Sequence, residues 1–296
     1  MKPFLKWVGG KGQILDTVMA KFPTTMDSYH EPFIGGGSVL LELLARKKAG
    51  KITVGAVNAS DVNPKLIHLY QTIQGDCDGF LAGAELLAQE YAQCPLAPKM
   101  VLRPTNLAEA KGSAEAYYYW SRQLFNGLSE EARKTPEAAA LFLFLNKTCF
   151  RGVYREGPHG FNVPFGHYKT HTFYDAEHIR AVSALIQGVS FKCQGFEESL
   201  AAVGSNDFVY LDPPYAPVNA TSFVGYTADG FKAEQHGALF ALCRTLPRFV
   251  MSNADVPLVR NAFPAGGFAT DVVVCRRAIN SKNPESTTNE VLVSKG

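Results

Sequence analysis

The hydrophobic pattern of this 296-residue chain changes twice along its length. Up to about residue 62, and again from about residue 170, short apolar β-prone runs alternate with helical segments, which is typical of a parallel sheet flanked by helices. Residues 63–146 are helical in texture, and 149–169 form a Gly- and Pro-punctuated, aromatic stretch that predicts a β-hairpin with a polar tip. The chain is therefore predicted to have an α/β fold, a doubly wound sheet interrupted by an inserted module.

Capping signals predict where individual elements begin and end. The helix after FIGGGSV is expected to start with Ser38 as its N-cap and to end in the basic run 46–48, before Gly50. A later helix is expected to have Thr135 as its N-cap and Pro136 at its first helical position.

Composition narrows the class of protein without naming a ligand. With 46% hydrophobic and 19% charged residues, the chain has the composition of a globular protein, and no apolar run is long enough to cross a membrane. Its six cysteines form no CxxC pair, which predicts reduced thiols in a cytoplasmic protein and no metal site. Basic residues cluster between Lys147 and His171, although the net charge is only +2. Charge alone favours a solvated face there over a phosphate-binding surface.

Two glycine-rich stretches predict close approach of the backbone to a ligand. WVGGKGQ lacks the first glycine and the Ser/Thr of a P-loop, and FIGGGSV lacks the third glycine of a dinucleotide fingerprint. Both still allow backbone N–H groups near a helix N-terminus to face an anionic group. Asp61 is expected at the end of the next strand, where a carboxylate commonly binds ribose hydroxyls, so an adenosine-containing ligand is favoured.

The segment VYLDPPY, residues 209–215, combines an acid, two prolines and an aromatic ring at a predicted strand end. One substrate that this arrangement would suit is an exocyclic amine of a nucleobase. Such an amine is a poor nucleophile, and activating it requires hydrogen-bond acceptors for both of its N–H groups. Asp212 can supply one acceptor and the Pro213 carbonyl the other, because proline restricts the backbone and adds no competing donor. Tyr215 can stack on the ring face of the base.

A family resemblance rests on eight motifs in a fixed order. They are FLKWVGGKG (4–12), EPFIGGGSV (31–39), SDVN (60–63), NKTCFRGVYR (146–155), FNVPFG (161–166), DPPY (212–215), VMSNAD (250–255) and CRRAINS (275–281). This set spans nearly the whole chain and resembles the Dam-type, alpha-class DNA adenine-N6 methyltransferases. The resemblance implies a Rossmann-like methyltransferase domain at 1–62 and 170–296, and a target-recognition DNA-binding domain at 63–169 that consists of helices plus a hairpin at 147–169.

The resemblance also implies S-adenosyl-L-methionine as methyl donor and S-adenosyl-L-homocysteine as product. The positions that match the family's cofactor-binding residues are Trp7, Lys11, Phe33, Gly35, Gly37, Ser38, Asp61 and Asp212. The positions that match its catalytic tetrapeptide are Asp212, Pro213, Pro214 and Tyr215. No metal is implied.

The same resemblance implies that the hairpin enters double-stranded DNA. The predicted DNA contacts are Lys147, Arg151, Arg155, His159, Asn162, Val163, Pro164 and Lys169. Arg151 stands where the family often has Asn, and the tip EGPHG (156–160) is shorter than in members that read GATC, with His159 replacing a basic reader. We therefore expect methylation at GATC or in a relaxed or different adenine context.

The function predicted from these residues is transfer of a methyl group to N6 of an adenine flipped out of duplex DNA. Two alternatives stay open: a methyltransferase acting on RNA or a protein amide, and a catalytically inactive DNA-binding homologue. We expect a monomer in the cytoplasm, associated with the nucleoid of a bacterial or phage-infected cell. A cognate restriction endonuclease in the same restriction-modification system is a further expected partner.

Overall fold

The structure is a computed structural model that describes residues 1–96, 103–217, 231–276 and 287–296. Residues 277–281 of the motif CRRAINS lie outside the described residues.

Two compact units divide the chain. The first unit comprises Met1–Lys2, Lys11–Val62 and Gly188–Gly296, and the second comprises Pro3–Gly10 and Asn63–Gln187. Relative to the ranges predicted from sequence, residues 3–10 and 170–187 lie in the second unit.

A mixed sheet forms the centre of the first unit. Its strands are β1 Thr25–Glu31, β2 Thr53–Asp61, β5 Val189–Cys193, β6 Phe208–Leu211, β7 Phe249–Ala254, β8 Ala269–Arg276 and β9 Thr287–Lys295. Their order is β5-β2-β1-β6-β7-β9-β8; the first five strands are parallel, and β9 runs antiparallel to both of its neighbours. All four residues of β6 are buried, as expected of a parallel strand covered on both faces. The predicted α/β fold with a doubly wound sheet is confirmed.

Helices accompany this sheet along the chain. They are α1 Leu15–Met19, α2 Ser38–Lys48, α9 Phe196–Leu200, α10 Ala233–Thr245 and α11 Pro257–Ala262. The prediction that Ser38 is an N-cap is wrong. Helix α2 begins at Ser38 itself, and its N-cap is Gly37, whose φ of 69° is left-handed. A glycine adopts that conformation without the steric cost of a Cβ atom, so it takes the cap position although it has no capping side chain.

The strand order reverses between β1 and β6, because the chain winds outward from this pair in both directions. In open parallel sheets, ligands bind in the crevice at the carboxyl ends of strands at such a reversal. The segments that leave these ends are the glycine loop after Glu31 and the tetrapeptide that starts at Asp212. The topology thus brings the two candidate motifs to one edge of the sheet.

Helices form most of the second unit. They are α3 Pro64–Gly75, α4 Cys77–Ala92, α5 Leu107–Ala110, α6 Ala114–Gly127, α7 Pro136–Thr148 and α8 Ala176–Leu185. Helix α7 is buried on nearly every side, and the Phe144 ring makes edge-to-face contacts with the rings of Tyr91 and Tyr117, with centroids 5.0 and 5.7 Å away. The predicted cap of this helix is confirmed, since Thr135 Oγ1 accepts a hydrogen bond from Ala138 N.

The predicted β-hairpin is present but much shorter than its sequence segment. Its strands are β3 Glu156–Gly157 and β4 Gly160–Phe161, joined by Pro158 and His159. Residues 150–152 form a 3-10 turn, and the chain after β4 is irregular. The glycines and prolines that predicted a turn also interrupt the ladder, because they do not extend strand pairing.

The segment that carries the motif FLKW is fastened to helix α7 by Asn146. The Asn146 side chain accepts a hydrogen bond from Lys6 N at 2.9 Å and donates one to Lys6 O at 2.7 Å. Asn146 is only 3% exposed, so both bonds are shielded from competing water.

We predict that Asn146→Ala lowers the free energy of unfolding by roughly 2–4 kcal/mol, because two backbone groups lose buried partners. Urea unfolding followed by circular dichroism measures the loss. Asn106→Ala is the control, since it removes an exposed N-cap asparagine of helix α5 and should cost about 1 kcal/mol. An equal loss of unfolding free energy in the two variants would show that the two hydrogen bonds to Lys6 stabilise the protein no more than an exposed helix cap does.

Candidate active site

Asp212 directly follows strand β6 and forms an ion pair with Lys11, with Nζ and Oδ2 2.8 Å apart. The Lys11 side chain is 4% exposed, whereas that of Asp212 keeps 21% of its surface accessible. Burying a lysine is costly unless an anion accompanies it, so Asp212 neutralises Lys11 while one side of its carboxylate stays open to a ligand.

The pKa of the Asp212 carboxyl is raised to about 6, mainly because burial disfavours the charged form. Lys11 opposes this rise through its charge and hydrogen bond, and the nearby carboxylate of Glu290 adds to it. Above about pH 6, Asp212 is therefore mainly ionised and accepts hydrogen bonds without donating any.

Tyr215 is oriented by one contact to its hydroxyl and one over the face of its ring. Its hydroxyl donates a hydrogen bond to Glu290 Oε2 at 2.6 Å, and Lys11 Nζ lies 5.1 Å from the ring centroid. The following residue, Ala216, donates its N–H to Asn253 Oδ1 at 2.9 Å. These contacts fix both the ring and the backbone of the tetrapeptide.

The sequence predictions assigned no role to Glu290 or Asn253. Asn253 lies in the buried strand β7, whereas Glu290 is a partly exposed residue in the polar first half of β9. Asn253 is fully buried, and its Nδ2 has no hydrogen-bond partner among the described residues. A polar side chain in a buried strand is the signal that could have identified Asn253, although it does not say which loop the residue contacts. Glu290 stands among other polar residues of β9 and gives no such signal.

The glycine loop after β1 curls back over the end of β2. Gly35 and Gly37 both have positive φ, 47° and 69°, a conformation that favours glycine. Gly35 N donates to Asp61 Oδ2 at 3.2 Å, and Ile34 N donates to Ser60 O at 3.0 Å. The strand-end acid predicted from sequence is therefore in place, and it contacts the loop directly.

An aromatic wall stands beside this loop. The Phe33 ring stacks on Phe196 at 5.8 Å and meets the edge of Phe231 at 6.0 Å between centroids. Phe33 is only half-buried. An apolar surface next to a carboxylate suits a ligand that has a flat ring and a hydroxylated sugar.

A second carboxyl lies at the same edge of the sheet. Glu31 is 2% exposed and accepts a hydrogen bond from Tyr29 Oη at 2.7 Å. Burial raises its pKa to about 8, the hydrogen bond from Tyr29 opposes that rise, and the charge of Asp212 adds to it. Near neutral pH, Glu31 is mainly protonated, so it adds little negative charge to the site.

Trp7 belongs to the second unit, where its ring stacks on Tyr154 with centroids 5.6 Å apart. Lys11, from the same sequence motif, belongs to the first unit. The motif therefore spans the boundary between the two units.

The predicted DNA-contacting residues differ in exposure. Arg151, Arg155, His159, Asn162, Pro164 and Lys169 are exposed, whereas Lys147 is half-buried and Val163 is buried. The Val163 carbonyl accepts hydrogen bonds from Tyr118 Oη and Arg122 Nη1. Val163 therefore anchors the segment and has no free surface for a DNA contact. We leave it out of the proposed contact set.

Arg151 occupies the left-handed region, with φ 57° and ψ 15°. Asparagine adopts this conformation more readily than arginine, which gives a physical reason for the Asn often found there in Dam-type enzymes. Arg155 is held differently, because its Nε donates to Asn162 Oδ1 at 2.7 Å.

Among the described residues, no group of three or more His, Cys, Asp or Glu side chains could hold a metal ion. The described helices include none that is long and apolar enough to span a membrane.

Comparison with known proteins decides the family. The family model for D12 class N6 adenine-specific DNA methyltransferases matches residues 7–274. The chain belongs to this family. This D12-class chain is 34% identical over 294 residues to the Type II methyltransferase M.MjaIII of Methanocaldococcus jannaschii, with 95% of this chain and 94% of that protein covered. It is 30% identical to the DNA adenine methylase of Haemophilus influenzae, covering 96% and 89% of the two chains. It is 32% identical to that of Escherichia coli K12, covering 95% and 90%.

The predicted family, fold and enzyme class are thereby confirmed, and the D12-class chain is a DNA adenine methyltransferase. A methyl donor is implied by that activity.

We predict that Lys11→Met shifts the acidic limb of the rate profile to higher pH. Without the lysine, the pKa of Asp212 rises further above 6, so ionised Asp212 is lost at a higher pH as the pH falls. Initial rates of methyl transfer at saturating donor, measured between about pH 5 and about pH 9, show the limb. Lys47→Met, which changes an exposed lysine at the end of α2, is the control. If the acidic limb of Lys11→Met lies at the same pH as that of the wild type, Lys11 does not lower the pKa of Asp212.

Proposed function

We propose that this enzyme transfers the methyl group of S-adenosyl-L-methionine to N6 of an adenine flipped out of double-stranded DNA. The observation that carries the proposal is the placement of Asp212 and Tyr215 at the strand-order reversal of the sheet, with Asp212 held by Lys11. Asp212 provides an acceptor and Tyr215 a flat ring, the two features that recognition of a nucleobase amine requires.

The residues of the first unit fit S-adenosyl-L-methionine. Asp61 offers carboxylate oxygens for the ribose hydroxyls of the cofactor, and Phe33 offers an apolar face for its adenine ring. Asp212 offers a carboxylate for the cofactor's amino group. Gly35 and Gly37 allow the backbone to approach the methionine part, and Ser38 starts the helix beside it. When bound, the cofactor supplies an electrophilic sulfonium methyl group.

Asp212 and the Pro213 carbonyl would each accept a hydrogen bond from one N–H of the adenine amine, which brings the nitrogen lone pair out of conjugation with the ring. Pro214 limits the backbone freedom of the loop, and Tyr215 covers the base with its hydroxyl tied to Glu290. Most of the rate enhancement comes from the orientation of the reacting groups and from the placement of charge. The proton released from N6 leaves to solvent after transfer.

We assign DNA contacts to the exposed basic and polar residues of the hairpin and its flanks. Arg151, Arg155 and Lys169 are candidates for phosphate or base-edge contacts, and His159 at the tip can donate to a base edge. A flipped target is required because N6 of a paired adenine points into the stack. We also still predict that the enzyme is a monomer, that a cognate restriction endonuclease is its partner, and that it is associated with the nucleoid.

One assay separates the candidate substrates. Purified protein is incubated with labelled S-adenosyl-L-methionine and, in separate reactions, unmethylated duplex DNA, RNA or a protein mixture. We expect label only in DNA, on adenine N6. Label in RNA or protein, or no label where a known adenine methylase is active, would overturn the proposal. Mapping the modified adenines then identifies the sequence context, GATC or another.

We predict that Asp212→Ala lowers the rate of methyl transfer at least about 1,000-fold, since both orientation and charge placement are lost. DNA affinity, measured by fluorescence anisotropy, should stay within about threefold of the wild type because the hairpin is unchanged. Asp255→Ala, which removes a half-buried acid paired with Arg260 in the same unit, should keep near-normal rates. Residual turnover of Asp212→Ala above about a tenth of the wild-type rate would contradict the assigned role.

We predict that Arg155→Ala weakens DNA binding uniformly across sequences and reduces the slope of log K against log salt by about 1. Cofactor affinity should not change. Arg180→Ala is the charge-matched control, because it removes an exposed arginine that pairs with Asp78 in the same unit. A salt slope equal to that of the wild type would remove Arg155 from the proposed phosphate contacts.

A further inference from the structure

The chain that leaves the hairpin is bound along one face of helix α6. Three side chains spaced four residues apart, Tyr118, Arg122 and Asn126, hydrogen-bond the backbone of residues 161 and 163. Residues four apart lie on the same side of a helix, so the three form a polar stripe parallel to the α6 axis. Tyr118 Oη and Arg122 Nη1 reach Val163 O at 2.7 and 3.0 Å.

Asn126 holds the end of the stripe nearest the hairpin tip. Its Nδ2 donates to Phe161 O at 2.9 Å, and its Oδ1 accepts from Phe161 N at 2.9 Å. The amide thus takes the place of a neighbouring strand for β4. With only two residues in each strand, the hairpin has too few ladder bonds to fix its own orientation, and a two-stranded hairpin is marginal by itself.

Gly160 shows how closely Asn126 approaches the tip. Its φ is +88°, and a Cβ atom placed there would lie 2.6 Å from Asn126 Oδ1. Only glycine therefore allows the clamp at this position. Lys65 holds the other strand, since its Nζ lies 2.5 Å from Glu156 Oε1.

Helix α6 is itself well supported at the end that carries Asn126. Arg133 donates to Asn126 O at 3.1 Å and to Leu128 O at 3.1 Å, and the Phe125 ring stacks on Phe142 with centroids 5.9 Å apart. Because these contacts hold the end of α6 in place, Asn126 can hold the hairpin tip in a defined position.

The tip and α6 line one open groove of about 480 Å³, whose lining includes Arg122, Gln123, Asn126, His159 and Asn162. Two of these five, His159 and Asn162, are proposed DNA contacts. A hydrogen bond to a base edge depends on the position of its donor to within a few tenths of an ångström. Any shift of the tip relative to α6 would therefore change which base edge is accepted.

We propose that Asn126 is a positioning residue for sequence specificity, which orients the hairpin tip so that His159 and Asn162 meet the base pairs beside the target adenine. This inference rests on the proposed function of the hairpin. It places part of the specificity in a helix residue that carries the tip, in addition to the tip residues themselves.

The test measures selectivity separately from activity. A duplex library with randomised positions around one adenine is methylated to low conversion, and sequencing of the modified adenines gives the ratio of rates on preferred and single-mismatch sites. We expect Asn126→Ala and the isosteric Asn126→Asp, which loses the donor to Phe161 O, to lower this ratio at least about fivefold. Affinity for S-adenosyl-L-methionine, measured by calorimetry, should stay within about twofold. Should Asn126→Ala not fold, Asn126→Asp carries the comparison.

Gly160→Ala probes the same contact from the hairpin side, because its Cβ would displace Asn126. We expect a similar loss of selectivity, and we expect the double variant Asn126→Ala/Gly160→Ala to lose little more than either single variant. Gln89→Ala, which removes an exposed side chain of helix α4 that donates to Glu85 in the same helix, is the control and should keep wild-type selectivity.

Two results would overturn the inference while leaving the proposed function intact. One is a ratio of rates on preferred and single-mismatch sites that is unchanged in a folded Asn126 variant, while the wild-type enzyme methylates DNA. The other is fully additive losses in the double variant. Absence of DNA methylation by the wild type would instead overturn the proposed function itself.

Discussion

The ion pair between Lys11 and Asp212 is the interaction on which the candidate active site depends. Lys11 is almost completely buried, so its charge requires a close anion, and Asp212 is the residue that supplies it. Removing one partner of such a pair leaves an uncompensated charge, which typically costs about 3–5 kcal/mol. The pair also orients Asp212 and moderates its pKa, so stability and chemistry share one contact. Tyr215, Glu290 and Asn253 then extend the arrangement to the rest of the tetrapeptide.

Asparagine side chains have a corresponding role in the second unit. Asn146 pairs with both backbone groups of Lys6, and Asn126 pairs with both backbone groups of Phe161. A primary amide presents one donor and one acceptor in a plane, which is the pattern that a neighbouring strand would present. Each asparagine thereby holds a segment that has little regular structure of its own. One segment carries Trp7 and the other carries the hairpin, the two parts of this unit to which the sequence predictions assigned ligand contacts.

Local patterns were sufficient to predict most of the fold. The strand that ends at Asp61 and the helix capped by Thr135 were both predicted, because each depends on periodicity and capping within a few residues. The errors arose where backbone geometry overrode residue preference. Gly37 took the cap expected at Ser38, since its left-handed φ begins the helix one residue earlier. The hairpin ladder covers only two residues in each strand, because glycines and prolines interrupt the pairing of the longer predicted segment.

The sequence by itself determined the family, the order of the motifs and the chemistry that Asp212 and Tyr215 can perform, because these follow from residue identity and spacing. Only the tertiary structure decided which residues support them. Glu290 lies 75 positions from Tyr215, and Asn126 lies 35 positions from Phe161. Neither pairing follows from periodicity, since both arise from strand order and helix packing. The raised pKa of Asp212 also belongs to the fold, because burial and the charge of Glu290 raise it while Lys11 opposes the rise.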